Sequence, residues 1–425
     1  MSSSADPRVA QAWEAAAKGD LDGAERLFEL VSQGPSAAEA AFGRGSVAAR
    51  RGDFTRAVDL LADACRLDPS VPVHHYQHGV SLVAVGRADA AARCFREAVR
   101  LDPSFGEAWF NLGSAERQAG RIEEAVDALR HAASGPKPIE VARLAIVQTL
   151  RGAGRVDEAI SAAREAISMR EAWAEAWSEL GLCLAMKSDL RTAATCWERA
   201  LEIQPRFLDA RFHLGVVAGM LGEFDRAIEH YRAVTRAAPN HARARVNLAG
   251  LLMHRGELAA AEAELLAATT QPGPDGAVIT LALADLRLRQ DRLPDAERLY
   301  RDVVRQSPRE LRPRLGLVGT LVAQERGEEA LREVEAIEAI APGRPEVQEA
   351  RCDALVMAGR PTDALPLIER LLASQGPTPL RHGLRGRALE ALGRAGDARS
   401  AYESALAMNP GFAPAADGLD RLAKA

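Results

Sequence analysis

Aromatic residues are scarce in this 425-residue sequence, at 4% of the chain, although hydrophobic residues make up 47%. A core must therefore be built mainly from alanine, leucine and valine, which favours closely packed helices. No apolar run reaches the roughly 18 residues that cross a bilayer, so we predict no membrane-spanning helix. The first residues lack a basic segment followed by an apolar one, so we expect no secretory signal peptide.

Cysteine is also rare, and the five cysteines include no CxxC pair. Their number is odd, and each falls inside a predicted helix, mostly at an apolar position. We interpret them as reduced core residues of a cytoplasmic protein. They are Cys65, Cys94, Cys183, Cys196 and Cys352.

Lysine occurs only four times among the 54 basic side chains, which leaves 50 arginines beside 59 acidic residues. The formal net charge of −5 argues against a general nucleic-acid-binding protein. The favoured interpretation of the arginine excess is the codon bias of a high-GC bacterial genome. The alternative is that guanidinium groups line a surface that binds carboxylates or phosphates.

A repeat of about 34 residues runs through the chain and is clearest at residues 106–138. There, Trp109 and Gly113 follow helical spacing, Gly120 interrupts it, and a second helical pattern includes Ala125. The small residues Gly113 and Ala125 are predicted to lie where the two helix axes cross closely. The alanine recurs in phase as Ala24, Ala57, Ala91, Ala125, Ala159, Ala193, Ala227, Ala261, Ala296, Ala330, Ala364 and Ala398.

A helix–turn–helix unit of this length and pattern resembles the tetratricopeptide repeat. Residues 107–113 (EAWFNLG) and 222–231 (GEFDRAIEHY) are close to the consensus of that family. The resemblance covers about residues 5–412 and implies an all-α fold, a right-handed α-solenoid superhelix of about twelve stacked units. It does not identify the partner, because this repeat serves many unrelated processes.

We divide the chain into five segments on this basis. Residues 1–37 are an atypical N-terminal unit, 38–139 are units two to four, 140–275 are units five to eight, 276–412 are units nine to twelve, and 413–425 are a C-terminal capping helix. The fifth unit has Arg143 where a large apolar residue is expected and Val147 where a small one is expected, so we predict a local change of superhelical path there. Residues 271–276 are the most loop-like and the best hinge candidate.

The resemblance implies that the first helix of each unit lines an inner groove, and side chains at its groove positions are the candidate site. Amide side chains can donate to and accept from a peptide backbone, and aromatic side chains provide apolar contact. We therefore predict that the groove binds an extended or helical peptide segment of a protein partner. The candidate residues are Tyr76, Gln77, Phe110, Asn111, Arg117, Gln118, Phe212, His213, Arg243, Asn247 and His254.

Two finer patterns of the family are incomplete in this sequence. Arg243 and Asn247 match one piece of a clamp for two carboxylates, but Val278 and Ala282 stand at the matching places of the next unit. An inner asparagine at the sixth position of the unit is present only as Asn111 and Asn247. We therefore expect neither a complete clamp nor a ladder of asparagines along the whole groove.

Catalytic and metal-binding motifs do not stand out. His74 and His78 are one helical turn apart, as two ligands of a metal ion could be, but no third ligand is evident nearby. We therefore interpret His74, His75 and His78 as structural. The favoured interpretation is a cytoplasmic, non-enzymatic scaffold or adaptor without cofactor or metal, which binds a protein or peptide and neither nucleic acid nor membrane. The alternative is a substrate-recognition subunit for a separately encoded glycosyl- or sulfotransferase. The oligomeric state is left open.

Overall fold

The computed structural model describes residues 6–269 and 275–424, and in these ranges it contains helices and no strand. The predicted all-α architecture is confirmed. The first twelve helices are α1 (Pro7–Ala17), α2 (Leu21–Leu30), α3 (Ala37–Arg50), α4 (Phe54–Leu67), α5 (Pro72–Ala84), α6 (Ala88–Leu101), α7 (Gly106–Gln118), α8 (Ile122–Ser134), α9 (Val141–Gly152), α10 (Val156–Met169), α11 (Ala174–Met186) and α12 (Leu190–Ile203). The others are α13 (Leu208–Met220), α14 (Phe224–Ala237), α15 (Ala242–His254), α16 (Leu258–Thr269), α17 (Gly276–Arg289), α18 (Leu293–Gln306), α19 (Leu311–Ala323), α20 (Gly327–Glu338), α21 (Pro345–Met357), α22 (Pro361–Gln375), α23 (Pro379–Ala391), α24 (Ala395–Met408) and α25 (Ala413–Lys424).

Short turns join most of the consecutive helices, and turn residues explain where several helices begin. Asp20, Asp53 and Asp189 each precede a helix, and each side chain accepts a hydrogen bond of 2.8 to 3.3 Å from the backbone N–H three residues later. The Asp6 side chain caps α1 in a similar way and accepts from the backbone N–H of Arg8. Many of the turns contain a glycine with positive φ, such as 81° at Gly52, where a residue with a Cβ atom would be strained.

The close helix crossing predicted at Gly113 is confirmed. A Cβ atom on Gly113 would lie 2.6 Å from Cγ of Leu129 and 2.9 Å from the carbonyl oxygen of Ala125. At the equivalent glycine of the last repeat, a Cβ atom on Gly386 would lie 2.4 Å from the Tyr402 ring. The twelve alanines that mark the repeat are all completely buried. Small residues thus allow the paired helices to approach closely.

Two compact units divide the chain after residue 217. In residues 1–217, each helix from α1 to α11 packs against the next, and each odd-numbered helix up to α9 also contacts the next odd-numbered one. In residues 218–425, the helices from α14 to α25 pack in the same serial way, and the odd-numbered ones from α15 onward again touch each other. Each unit is therefore an α-solenoid stack of helix pairs with its first helices side by side.

Helix α25 covers the last helix pair of the second unit. Its Leu419 and Leu422 pack against a buried cluster that contains Leu389 and Tyr402. Nε of Arg421 lies 3.0 Å from Oε1 of Glu390, which ties α25 to α23. The C-terminal helix predicted from the sequence is therefore present and shields apolar surface at the end of the stack.

Other expectations from the sequence differ in their outcomes. The five cysteines lie in helices as free thiols, and three of them are buried. Of the hinge candidate, residues 271–274 lie outside the described residues. The division of the chain into five segments stays a prediction. Among the described helices, none combines the length and the apolar character that a bilayer crossing requires.

Candidate partner-binding surface

The odd-numbered helices form one face of each unit, called here the first-helix face. In residues 1–217 this face comprises α1, α3, α5, α7, α9 and α11. The beginning of α13 also belongs to this unit. Eight candidate residues belong to this unit: Tyr76, Gln77, Phe110, Asn111, Arg117, Gln118, Phe212 and His213. The other three, Arg243, Asn247 and His254, belong to the second unit and are described separately.

Tyr76 and Asn111 are brought together by neighbouring first helices, α5 and α7. Nδ2 of Asn111 donates a hydrogen bond of 3.2 Å to the Tyr76 hydroxyl. The Tyr76 ring packs against Phe105, with ring centroids 4.8 Å apart. Burial raises the pKa of Tyr76, and the nearby Glu107 carboxylate adds to this effect, so the hydroxyl stays protonated. The bond fixes both side chains and leaves the Asn111 carbonyl oxygen available to a ligand.

The other candidates on α5 and α7 differ in how much they are exposed. Phe110 is half-buried and packs against the large hydrophobic core cluster of this unit. Gln77 is also half-buried, whereas Arg117 and Gln118 are exposed at the C-terminal end of α7. The candidates on α5 and α7 thus comprise a phenylalanine ring, three amides and a tyrosine hydroxyl, with the Arg117 cation at the C-terminal end of α7.

A polar contact that the sequence analysis missed joins α9 to α11. Nε2 of Gln148 donates to Oε1 of Glu179 at 2.8 Å, and Nε of Arg151 donates to Oε2 at 3.1 Å. Only 9% of Glu179 is exposed, and these two donors satisfy its carboxylate. The signal was the spacing of Gln148 and Arg151, which are three residues apart and so lie on one face of α9.

Phe212 and His213 lie at the end of the first unit and contact each other, with ring centroids 5.5 Å apart. The His213 ring also stacks on Trp197 at 5.1 Å with an interplanar angle of 19°. Burial lowers the pKa of His213, so its imidazole is mainly neutral near pH 7. The pair therefore offers apolar ring surface together with a neutral ring nitrogen.

The three candidates of the second unit lie on α15 and have different surroundings. Nε of Arg243 lies 3.1 Å from Oδ1 of Asp275. Nδ2 of Asn247 donates to the Tyr231 hydroxyl at 3.2 Å, and burial raises the pKa of Tyr231 to about 12. His254 is exposed at the C-terminal end of the helix. Arg243 and Asn247 thus contact different neighbours, which does not favour a joint carboxylate clamp.

A repeated side-chain hydrogen bond anchors the loop before many first helices, and sequence reasoning did not find it. Nε1 of Trp109 donates to the carbonyl of Pro103 at 3.0 Å, and Nε of Arg245 donates to that of Pro239 at 2.8 Å. The same step of six residues links His75 to Pro69, Trp177 to Glu171, Arg211 to Pro205 and Arg314 to Pro308. The residues at this repeat position share a side-chain N–H group and not an apolar character. Its arginines, Arg211, Arg245 and Arg314, therefore stabilise the loop before the helix.

His74, His75 and His78 make separate contacts. The His74 ring packs on Phe42 with centroids 4.8 Å apart, and Nδ1 of His78 lies 3.5 Å from Sγ of Cys94. His75 anchors the preceding loop as described above. Across residues 6–269 and 275–424, no group of three His, Cys, Asp or Glu side chains is placed to hold a metal ion.

Family models described as tetratricopeptide repeat match most of the chain. One matches residues 9–72, 76–138, 144–194, 187–233, 218–277 and 350–413, and a second matches residues 287–352. The chain therefore belongs to the tetratricopeptide repeat family, in agreement with the resemblance seen in its sequence. No curated protein matches it.

Solved structures similar to this chain are repeat proteins of low sequence identity. A tetratricopeptide repeat protein from Parabacteroides merdae ATCC 43184 is 19% identical with a TM-score of 0.50, over 59% of this chain and 98% of that one. A chain of the APC/C hetero-tetramer Cut9–Hcn1 is 14% identical with a TM-score of 0.49, over 97% of this chain and 95% of that one. Yeast Tom70 is 12% identical with a TM-score of 0.40, over 92% of this chain and 95% of that one. At these identities, the similarity concerns the fold.

Proposed function

We propose that the chain is a non-catalytic scaffold or adaptor, and that the first-helix face of residues 1–217 binds an extended peptide segment of a partner protein. Membership in the tetratricopeptide repeat family supports a role in protein–protein interaction. The observation that carries the finer proposal is the set of half-buried aromatic and amide side chains on α5 and α7. Tyr76, Gln77, Phe110 and Asn111 belong to this set.

The chemistry of this set suits an extended peptide. Such a peptide presents a backbone N–H and a carbonyl at every residue, and an amide side chain can bond to both. Asn111 is already held by Tyr76, so less side-chain entropy is lost when a ligand binds. Phe110 adds apolar area for side chains of the peptide. The buried carboxylate of Glu179 on the same face is bonded to Gln148 and Arg151, which suits a structural role for it better than a catalytic one.

We assign the second unit a separate contact region. Arg243 and His254 are exposed on α15, and Asn247 is half-buried between them. The Tyr231 hydroxyl orients Asn247 as Tyr76 orients Asn111. The region thus carries one oriented amide and two side chains that can donate hydrogen bonds to a partner.

Binding measurements on matched variants test the proposal. The purified chain first captures partners from a lysate of its source organism, and mass spectrometry identifies them. The partner is then titrated into the wild type, into F110A/N111A, and into E124A, whose substitution is at an exposed position of the second helix α8. We expect F110A/N111A to weaken binding about 100-fold, the loss typical of two central contact residues, and E124A to leave it unchanged.

Thermal melts of each variant control for unfolding. If folded F110A/N111A binds as tightly as the wild type, the proposed face is wrong. An equal loss in F110A/N111A and E124A would also contradict it, because the two substitutions lie on different helices of the pair.

A further inference from the structure

A groove on the second helices of residues 218–425 has the features of a separate binding site. A cavity of about 660 Å³ lies between α18 and α20, which are the second helices of neighbouring repeats. The buried side chains of Leu317 and Leu321 on α19 form its apolar floor. Pockets that hold ligands commonly have volumes of roughly 300–1,000 Å³, so the groove has room for several side chains.

The carboxylates in the walls of this groove are all neutralised within the protein. Each of the four acidic wall residues is ion-paired, and three of them pair with arginines outside the lining. Arg326 binds Glu297 and Glu329 at 2.7 Å each, and Arg314 binds Glu333. The arginines that line the groove are therefore not all needed to balance its acids.

Two of the lining arginines remain unpaired. Arg298 on α18 and Arg332 on α20 are exposed, and neither makes an ion pair or hydrogen bond with any residue that the structure describes. They occupy the same repeat position, so they stand on opposite walls. The pKa of Glu329 is lowered chiefly by its hydrogen bond from Arg326, and the charge of Arg332 adds less. Two free guanidinium groups thus stand above an apolar floor.

A corresponding groove in the first unit lacks this combination. It lies between α8 and α10 and has a volume of about 560 Å³. Its Arg143 donates to the carbonyl of Ala133 at 3.1 Å, and its Arg130 lies 3.4 Å from Asp127. Its cations are therefore already engaged, and the unpaired arginines distinguish the groove of the second unit.

We propose that the groove between α18 and α20 binds an acidic peptide segment of a partner protein. An apolar side chain of the segment packs on Leu317 and Leu321. Flanking carboxylates pair with Arg298 and Arg332, because the planar guanidinium fork matches a carboxylate in two-point hydrogen bonding. This site is separate from the first-helix face, so it does not depend on the function proposed above.

Fluorescence anisotropy with designed peptides tests this assignment on the full chain. The probes are fluorescein-labelled nonapeptides made of Glu-Glu-Leu, Gln-Gln-Leu or Lys-Lys-Leu repeats. We expect the Glu-Glu-Leu peptide to bind the wild type at least about tenfold more tightly than the Gln-Gln-Leu peptide, since two charge-assisted contacts are gained. In R298E/R332E the preference should reverse in favour of the Lys-Lys-Leu peptide.

Matched variants separate a local site from general electrostatic attraction. Arg26 and Arg93 are exposed arginines at the same repeat position in other units, so R26E/R93E makes the same change of net charge elsewhere. This control should bind the Glu-Glu-Leu peptide as the wild type does. R298Q/R332Q, which removes the charge without reversing it, should lose the preference.

Three results would overturn the assignment. They are equal affinity of the wild type for the Glu-Glu-Leu and Gln-Gln-Leu peptides, undiminished Glu-Glu-Leu binding in R298E/R332E or R298Q/R332Q, and an equal loss in R26E/R93E. Circular dichroism melts show whether each variant is folded.

Discussion

Replacing Gly113 by alanine tests whether small residues at the helix crossings determine this packing. The added Cβ atom would meet Cγ of Leu129 at 2.6 Å and the backbone oxygen of Ala125 at 2.9 Å. The leucine tip can rotate away, but the backbone oxygen moves only if α8 moves. Overpacking of this kind costs about 1–3 kcal/mol, and the better helix propensity of alanine returns about 1 kcal/mol. We therefore expect a net loss of up to about 2 kcal/mol, localised to α7 and α8.

Gly250 provides the matched control, because it lies inside α15 and nothing stands within 4 Å of the position of its Cβ atom. Gly250→Ala should gain about 0.5–1 kcal/mol. Hydrogen exchange read by mass spectrometry on peptides of α7, α8 and α15 is the suitable assay, since stacked repeats need not unfold as one unit. A gain in Gly113→Ala equal to that in Gly250→Ala would show that the crossing of α7 and α8 does not require a small residue at position 113.

Three further predictions concern a turn, buried histidines and a buried carboxylate. Glu325 has a φ of 61° where many repeats have glycine, so Glu325→Gly should stabilise the fold by about 1 kcal/mol in thermal melts, and no gain would contradict this strain. Burial lowers the pKa of His74 and His213 below 6.5, so the contribution of these residues to the free energy of unfolding is complete above that pH. It is lost as the pH falls, by at most about 1.4 kcal/mol per pH unit for each histidine. Melts between about pH 7.5 and 5 should therefore show a weaker pH dependence in His74→Gln than in the wild type, and identical slopes would contradict it. Glu116 is only 1% exposed and accepts hydrogen bonds from Arg121 and a second arginine, so Glu116→Ala should cost about 2 kcal/mol in urea denaturation. An unchanged urea midpoint would show that these bonds add no stability.

Helix pairing could be predicted because the residues that permit it recur in phase. Gly113 and Ala125 mark a crossing by their size, and Gly120 marks a turn by its positive φ of 77°. The turns at Ser188 and Glu325 have φ values of 63° and 61° without glycine, so composition alone did not reveal their conformation. Their position in the repeat was the remaining signal.

The side-chain contacts of the candidate surface were harder to predict. Repeat position places Tyr76 and Asn111 on one face, but their hydrogen bond joins side chains 35 residues apart. It depends on the length and rotamer of each side chain, which a repeat pattern does not specify. Glu179 occupies the same repeat position as Asn111, yet its carboxylate accepts hydrogen bonds that join α9 to α11.

The groove between α18 and α20 could not be predicted for a related reason. Its character depends on which arginines stay unpaired among 50 arginines and 59 acidic residues. Arg298 and Arg332 have the same residue type and repeat position as Arg26 and Arg93. Only the packing of the neighbouring helices distinguishes the pair that lines a cavity.

Site-specific photo-cross-linking can show which helix of a pair a bound partner contacts. The photoreactive amino acid p-benzoylphenylalanine is placed at position 110 on α7 in one protein and at position 124 on α8 in another. Each protein is irradiated in a lysate of the source organism, and the adducts are identified by mass spectrometry. We expect the partner to be cross-linked from position 110 and not from position 124. Cross-linking of the partner from position 124 alone would contradict it.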